Sequence, residues 1–281
     1  MPTTSGNGTC THETQDGWTP ITRKSQSRSS QGQGQGSPSA AKDRTRLCRY
    51  KAYVFLCLLV KSLVGEVDPH FILVETPFDY QKFGFPGGSF EMTSSQFHLL
   101  KEYAQRLVVV KEAGKEIAEE VPGLLSVLKY NIDPNKVGWI GPHSTKVTNR
   151  RGTIEYVAAY LFIDLTPNVL AHLNIGSQLK HIPEASLHQV RTTLIDPVNA
   201  RLTKEGADRE EGSSSQEVLK VHLVPSRRMH YMAESGNLWK THADVVEGVA
   251  PTYPDPPPGM RGRSYADVMQ QFLSCASHPK P

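Results

Sequence analysis

Residues 83–124, FGFPGGSFEMTSSQFHLLKEYAQRLVVVKEAGKEIAEEVPGL, decide how this chain is read. The stretch opens on a glycine turn, Gly87-Gly88, and closes on Glu116, Glu119 and Glu120, spaced i, i+3 and i+4. On a helix that spacing stacks all three carboxylates on one surface. Like charges one turn apart repel by a few tenths of a kcal/mol per pair, about 0.2–0.5. A hard divalent cation turns the same repulsion into coordination, because Mg²⁺ takes carboxylate oxygens. Read alone, KEIAEE is equally the solvated charged face of a helix. The apolar run His70-Phe71-Ile72-Leu73-Val74-Glu75 stands upstream and reads as a strand leading into the glycine turn.

Strand, FPGGSFE and KEIAEE together resemble the box of the Nudix hydrolases, G-x5-E-x7-R-E-U-x-E-E-x-G-U with U a bulky apolar residue. Gly88 takes the box glycine and Lys115-Glu116-Ile117-Ala118-Glu119-Glu120 takes R-E-U-x-E-E, while Glu91 matches a glutamate that often follows the glycine pair. The resemblance implies a Nudix-like α/β/α sandwich with a mixed sheet. It also implies Mg²⁺ or Mn²⁺ held by Gly88 (through its carbonyl), Glu116, Glu119 and Glu120, with Glu119 and Glu120 as catalytic residues.

The chain departs from that pattern at four places. Ser94 stands where the first box glutamate belongs, Lys115 replaces arginine, and Pro122 occupies the register of the closing glycine, with Gly123 one residue late. Between Gly88 and Lys115 stand 26 residues, 13 more than the pattern has. In the insert Phe97, Leu100, Ala104, Leu107 and Val108 recur at helical spacings, so it is expected to lengthen the box helix at its N-terminal end. A straight extension would carry the glycine turn about 20 Å away. The insert must therefore fold back if turn and carboxylates are to meet, and Gly114 is the expected hinge because glycine weakens a helix interior.

At 281 residues, with 38% apolar and 8% aromatic residues, the chain can bury a sizeable core. A net charge of +3 argues against a dedicated nucleic-acid binder. The four cysteines show no paired spacing and the 11 histidines no metal spacing, which fits a reducing, intracellular compartment, the cytoplasm favoured. Residues 1–46, rich in Ser, Gln and Gly, read as a disordered tail without a secretory signal, and organelle targeting stays open. The run Ala52 to Val60 is too short for a bilayer and reads as a core strand, so no membrane partner is expected.

A domain over 47–250 is expected, with insertions at about 95–114 and 166–216, followed by a Pro-rich segment and a helix over 251–281. Within it Leu125 to Tyr130 and Gly138 to Ile140 read as short strands, and Thr145 to Gly152 as a polar loop before a buried strand from Ile154 to Leu165. Arg150 and Arg151 in that loop are candidates to grip a diphosphate as charge-assisted donors, or are a solvated turn. Glu155 is a weaker candidate for ligand or base. Helical periodicity from Pro183 to Leu202 is expected to break at Pro197.

Val218 to Pro225 and the two segments after it resemble the closing strand and helices of the Nudix group acting on ADP-ribose and ADP-sugars; that group's loop base points to Glu210, Glu211 or Glu217. Pro251 to Arg263 reads as an extended linker, and Tyr265, Val268, Met269, Phe272 and Leu273 as an apolar stripe for the core or for a homodimer contact. The function expected is divalent-metal-dependent hydrolysis of a nucleoside diphosphate linked to another group, ADP-ribose or an ADP-sugar favoured, with a small nucleotide as partner. The alternative, motivated by Ser94 and the insert, is a Nudix-fold nucleotide-binding or interaction module impaired in catalysis.

Overall fold

β-branched and aromatic residues crowd the run before the glycine turn, and there they build the longest strand of the sheet. The computed structural model describes residues 47–77, 82–149, 152–176, 178–207 and 218–277. The expected tail over 1–46 lies outside them. β1 (Leu47–Lys61) and β2 (Val67–Glu75) form an antiparallel pair joined by a turn at 62–66. β3 (Phe83–Gly84) and β4 (Gly87–Ser89) follow, then α1 (Ser94–His98), α2 (Glu102–Glu120) and α3 (Leu124–Val127). β5 (Gly138–Asn149) and β6 (Gly152–Asp164) make a hairpin, followed by α4 (Thr166–His172) and β7 (Ile182–Pro183). α5 (Leu187–Val190), α6 (Asp196–Ala207), β8 (Lys220–Pro225), α7 (Ser226–Glu234), α8 (Lys240–Val246) and α9 (Tyr265–Ser277) complete the described elements.

Among the described residues the sheet is mixed, with order β3-β2-β1-β6-β5, β4 and β7 on β1, and β8 on β2. β1 runs parallel to β6 and antiparallel to β2 and β4. Its length is the organising fact. β2 covers its C-terminal half, Leu56 to Lys61, and β4 covers Lys51 to Tyr53, so the glycine turn is hydrogen-bonded directly to the central strand.

Alternation along β1 divides the core. Even-numbered residues such as Ala52, Val54 and Leu56 pack with Val109, Ala113 and Ile117 of α2 and with Leu194, Val198 and Leu202 beyond. Odd-numbered Phe55 and Cys57 pack with Met229, Ala243, Tyr265 and Val268 from α7, α8 and α9. Helices therefore cover both faces, the α/β/α arrangement expected. The stripe on α9 is core within this chain: Tyr265, Val268 and Met269 are buried, and Ser264 caps the helix through the Asp267 amide. No helix among the described residues is long and apolar enough to cross a membrane.

The path of the insert is set by the direction of β4. Its residues run antiparallel to β1, from Gly87 opposite Tyr53 to Ser89 opposite Lys51, and so carry the chain towards the start of β1. There Phe90 and Phe97 pack against Tyr50, and Thr93 with Gln96 forms a capping box that starts α1. The chain reverses at 99–101, and α2 then returns along β1 over 19 residues, about 28 Å. The outward and return legs cancel. The expected hinge at Gly114 is thus corrected: the helix runs straight through it, and the reversal comes before the helix. Glycine there costs about 1 kcal/mol, outweighed by burial of Val109 and Ile117 at about 2 kcal/mol each.

Four other expectations change. Leu125 to Tyr130 is no strand, because Leu124–Val127 is a helical turn entered through Gly123 at φ +82. The polar residues from Thr145 to Asn149 belong to β5, which pairs with β6 as far as Asn149 opposite Gly152; cross-strand pairing overrides their loop composition. Pro197 does not break its helix. The segment 191–195 widens into a π turn just before it, where the missing amide and the ring are accommodated. The 251–263 segment is packed rather than a bare linker: Met260 is buried and the Gly259 amide donates to Gln105 Oε1 at 2.8 Å. Gln105, in the inserted turns of α2, donates in turn to the Phe97 carbonyl at 3.1 Å.

Candidate active site

The glycine turn and the end of α2 meet. The Gly87 amide donates to Glu120 Oε2 at 2.7 Å. A Cβ on Gly88 would lie 2.2 Å from Glu116 Oε1, so only a residue without a side chain lets that carboxylate lie against the turn. Gly87 is required for a second reason. Its φ is +148, and a Cβ there would lie 2.1 Å from the Ala52 carbonyl oxygen of β1.

Lys115, at the box arginine position, pairs with Glu91. That contact draws the Glu91 carboxyl below its usual range and raises the lysine. The pairing ties the loop after β4 to the box helix, with both groups open to solvent.

Glu116, Glu119 and Glu120 all fall in the last turn and a half of α2, and no basic residue stands in that last turn. The negative end of the helix dipole adds to their charge there. Glu116 and Glu120 are half-buried against the turn, whereas Glu119 is exposed. No group of three or more His, Cys, Asp or Glu side chains able to hold a metal ion occurs among the described residues. The residues nonetheless fit Mg²⁺ or Mn²⁺, because the donors are hard oxygens at a site of concentrated negative potential. Mg²⁺ is commonly held by one or two carboxylates, with waters and substrate phosphates completing its shell.

Arg150 and Arg151 lie outside the described residues, as do Glu210, Glu211 and Glu217. Glu155 is buried on β6, paired with Lys146 across the hairpin at 4.0 Å. It stands opposite Cys48 of β1, whereas the glycine pair stands opposite Ala52 and Tyr53.

The sequence reading missed the residues beside the turn. Lys51 and Tyr53 flank Ala52 on β1, and a cavity of about 230 Å³ opens over them, walled further by Tyr156, Tyr160 and Trp239. Lys51 Nζ donates to the Tyr53 hydroxyl at 3.2 Å and lies 4.7 Å from the centre of the Tyr156 ring. Burial lowers its pKa, and the nearby Glu116 works in the opposite direction. Behind Tyr53 the buried His242 meets its ring edge-on at 4.5 Å; burial, with Lys51 nearby, depresses this histidine to about 3. The signal in the sequence was the pair of residues with polar ends, Lys51 and Tyr53, at alternate positions before an otherwise apolar run.

No family model and no curated protein matches the chain. Solved structures similar to it include a mutT/nudix family protein from Listeria innocua, 13% identical, covering 80% of this chain and 97% of that one with a TM-score of 0.36. A NUDIX hydrolase from Alicyclobacillus acidocaldarius is 11% identical, with coverages of 73% and 92% and a TM-score of 0.37. The NUDIX domain of Shewanella oneidensis NrtR, crystallised with ADP ribose, is 13% identical, with coverages of 75% and 90% and a TM-score of 0.29. At these identities and scores the likeness concerns the fold, and any chemistry rests on the residues of the site. What the chain itself shows is a mixed α/β sheet with a glycine turn set against the C-terminal end of α2.

Proposed function

We propose that the chain hydrolyses the diphosphate of a nucleoside diphosphate linked to another group, with ADP-ribose and ADP-sugars the favoured class, and that it depends on Mg²⁺ or Mn²⁺. The observation that carries this reading is the contact of the glycine turn with Glu116 and Glu120 despite the 13 additional residues. Glu116, Glu119, Glu120 and the Gly88 carbonyl would hold the cation. When bound, it supplies Lewis-acid polarisation of the diphosphate.

The Gly87 amide fixes one oxygen of Glu120 and so orients its carboxylate against the turn. Glu119, exposed one residue before, takes the proton from the attacking water as general base, or shares that role with Glu120. The water oxygen forms a bond to one phosphorus, the bond to the bridging oxygen breaks, and a nucleoside monophosphate leaves with the phosphorylated second group. Arg150 and Arg151, which follow Asn149 in sequence, are assigned to grip the diphosphate as charge-assisted donors.

The test is Mg²⁺-dependent release of AMP from ADP-ribose and a panel of nucleoside diphosphate derivatives by the full chain, with Glu119→Gln and Glu120→Gln alongside. Turnover that is lost in both variants and on chelation supports hydrolysis. Ser94, standing where the first box glutamate belongs, favours the second reading, a nucleotide-binding module without turnover. Folded protein inactive across the panel, but binding its members, would establish that reading instead.

A further inference from the structure

Among the described strands β8 pairs only with β2, so its outer edge is free of a further strand. α6 lies along that edge instead. Asn199 accepts from the Val221 amide at 2.7 Å and donates to the Val221 carbonyl at 3.1 Å, taking the place of a neighbouring strand at that residue. The two bonds fix which residues of β8 face outward: the backbone groups of Val221 do, hence those of Leu223, and Pro225, with no amide to offer, ends the row. Leu223 lines a cavity of about 410 Å³ that opens between α6, β8 and α7. This cavity is distinct from the one over Lys51 and Tyr53. The Phe83 amide donates to the Asn237 carbonyl at 2.9 Å and the Trp239 amide to the Phe83 carbonyl at 2.8 Å, and the wall so made has Phe83 and Asn237 on one cavity and Trp239 on the other.

Three cations reach the cavity from three elements: Arg191 from the π turn, Lys220 from β8 and Arg228 from α7. None of them has an ion-pair or hydrogen-bond partner among the described residues. The acid among the lining residues is Asp196, and His222 is held by Glu75 at 2.7 Å. Like charges gathered in a concave site without counter-ions raise the local potential for an anion. The floor is apolar, from the buried Ile195, Val224 and Met232, with the Phe83 ring at one side. The volume falls within the range of roughly 300–1,000 Å³ that encloses a small organic ligand.

We propose that this cavity is a second ligand site, for a small phosphate monoester with an apolar ester group: Arg191, Lys220 and Arg228 hold the phosphate, and Phe83, Ile195 and Met232 receive the ester group. The number of cations selects phosphate over carboxylate. A phosphate monoester near neutral pH carries a charge of about −1.5 to −2 on three acceptor oxygens, which three separate cations match and a single carboxylate does not. The segment that the sequence shows as an insertion supplies Arg191, Ile195 and the Asn199 brace, so the insertion builds the site. The assignment does not depend on hydrolysis at the glycine turn.

The test is calorimetric binding to the full chain in EDTA, with phenyl phosphate, inorganic phosphate and benzoate as probes. Phenyl phosphate is expected to bind about tenfold more tightly than inorganic phosphate, through burial of its ring, and about tenfold more tightly than benzoate, through its second charge. Arg191→Ala and Arg228→Ala should each weaken phenyl phosphate by about tenfold, the loss expected for one charge-assisted contact. Both arginines are exposed, so these variants keep the fold. Lys111→Ala, which removes an exposed cation of α2, and Lys51→Met, which alters the neighbouring cavity, should leave the affinity unchanged. No binding of phenyl phosphate by the native chain overturns the proposal, as does binding indifferent to both arginines. Equal weakening by Lys111→Ala would reduce the effect to overall surface charge, and loss with Lys51→Met alone would put the ligand over Tyr53; either result overturns the site. Benzoate bound as tightly as phenyl phosphate overturns the choice of phosphate. Metal-dependent turnover is read separately, so the hydrolase reading and this site stand or fall independently.

Discussion

Two adjacent glycines in the turn should respond to the same substitution in opposite ways. A Cβ at Gly88 would lie 2.2 Å from Glu116 Oε1 and 2.3 Å from its Cδ. Reaching an ordinary contact of about 3.4 Å moves the carboxylate by about 1 Å, and a misplacement of that size costs on the order of a hundredfold in rate, about 2.7 kcal/mol of barrier. The carboxylate ends a flexible side chain, so the folded state absorbs the shift by a rotamer change of about 1 kcal/mol. At Gly87 the obstacle is backbone: a Cβ would lie 2.1 Å from the Ala52 oxygen and 2.6 Å from the Tyr53 Cα, both in the central strand. With φ at +148 as well, Gly87→Ala should cost about 3–5 kcal/mol, or a fall of roughly 10 °C in Tm. The assay is thermal unfolding by circular dichroism, with metal-dependent turnover measured on the same samples. Gly88→Ala is expected to melt within about 4 °C of the native chain while losing activity. Native-level activity in Gly88→Ala, or equal destabilisation of the two variants, would refute the placement of Glu116 against the turn.

Gln105 is 2% exposed and joins the Phe97 carbonyl to the Gly259 amide. Gln105→Ala leaves both without a partner and should cost about 2–5 kcal/mol in urea unfolding, with proteolysis appearing first in the 251–263 segment; an unchanged urea midpoint would count against that anchoring. His242 is depressed from 6.5 to about 3, so the unfolded chain binds a proton that the folded one refuses between those values. The stability from keeping it neutral is complete above pH 6.5 and is lost as the pH falls towards 3, at about 1.4 kcal/mol per unit. Between pH 7.5 and 4.5 the native chain should therefore lose about 2.7 kcal/mol more than His242→Leu, measured by urea unfolding at both values; equal losses would show that His242 is protonated in the folded state.

Much of the site was legible in the chain because its parts are local. The spacing of Glu116, Glu119 and Glu120 determines a shared helix face wherever the helix lies, and the apolar runs of β1, β2 and β6 determine a sheet buried on both faces. The Gly87-Gly88 pair marked a turn that other residues cannot make. What sequence could not decide was whether the insert separates turn from carboxylates, because that depends on the direction of β4 along β1 and on the packing of Phe90 and Phe97 against Tyr50. Nor could it place the reversal, which falls at 99–101 and not at Gly114; a weak helix former is kept in the helix when its neighbours are buried. The aromatic cavity was hidden for the same reason. Lys51, Tyr156 and Trp239 are far apart in sequence and meet only because β1 pairs with β6 and α8 packs across them, and no local pattern carries the register of a parallel pair or the choice of which helix covers which face.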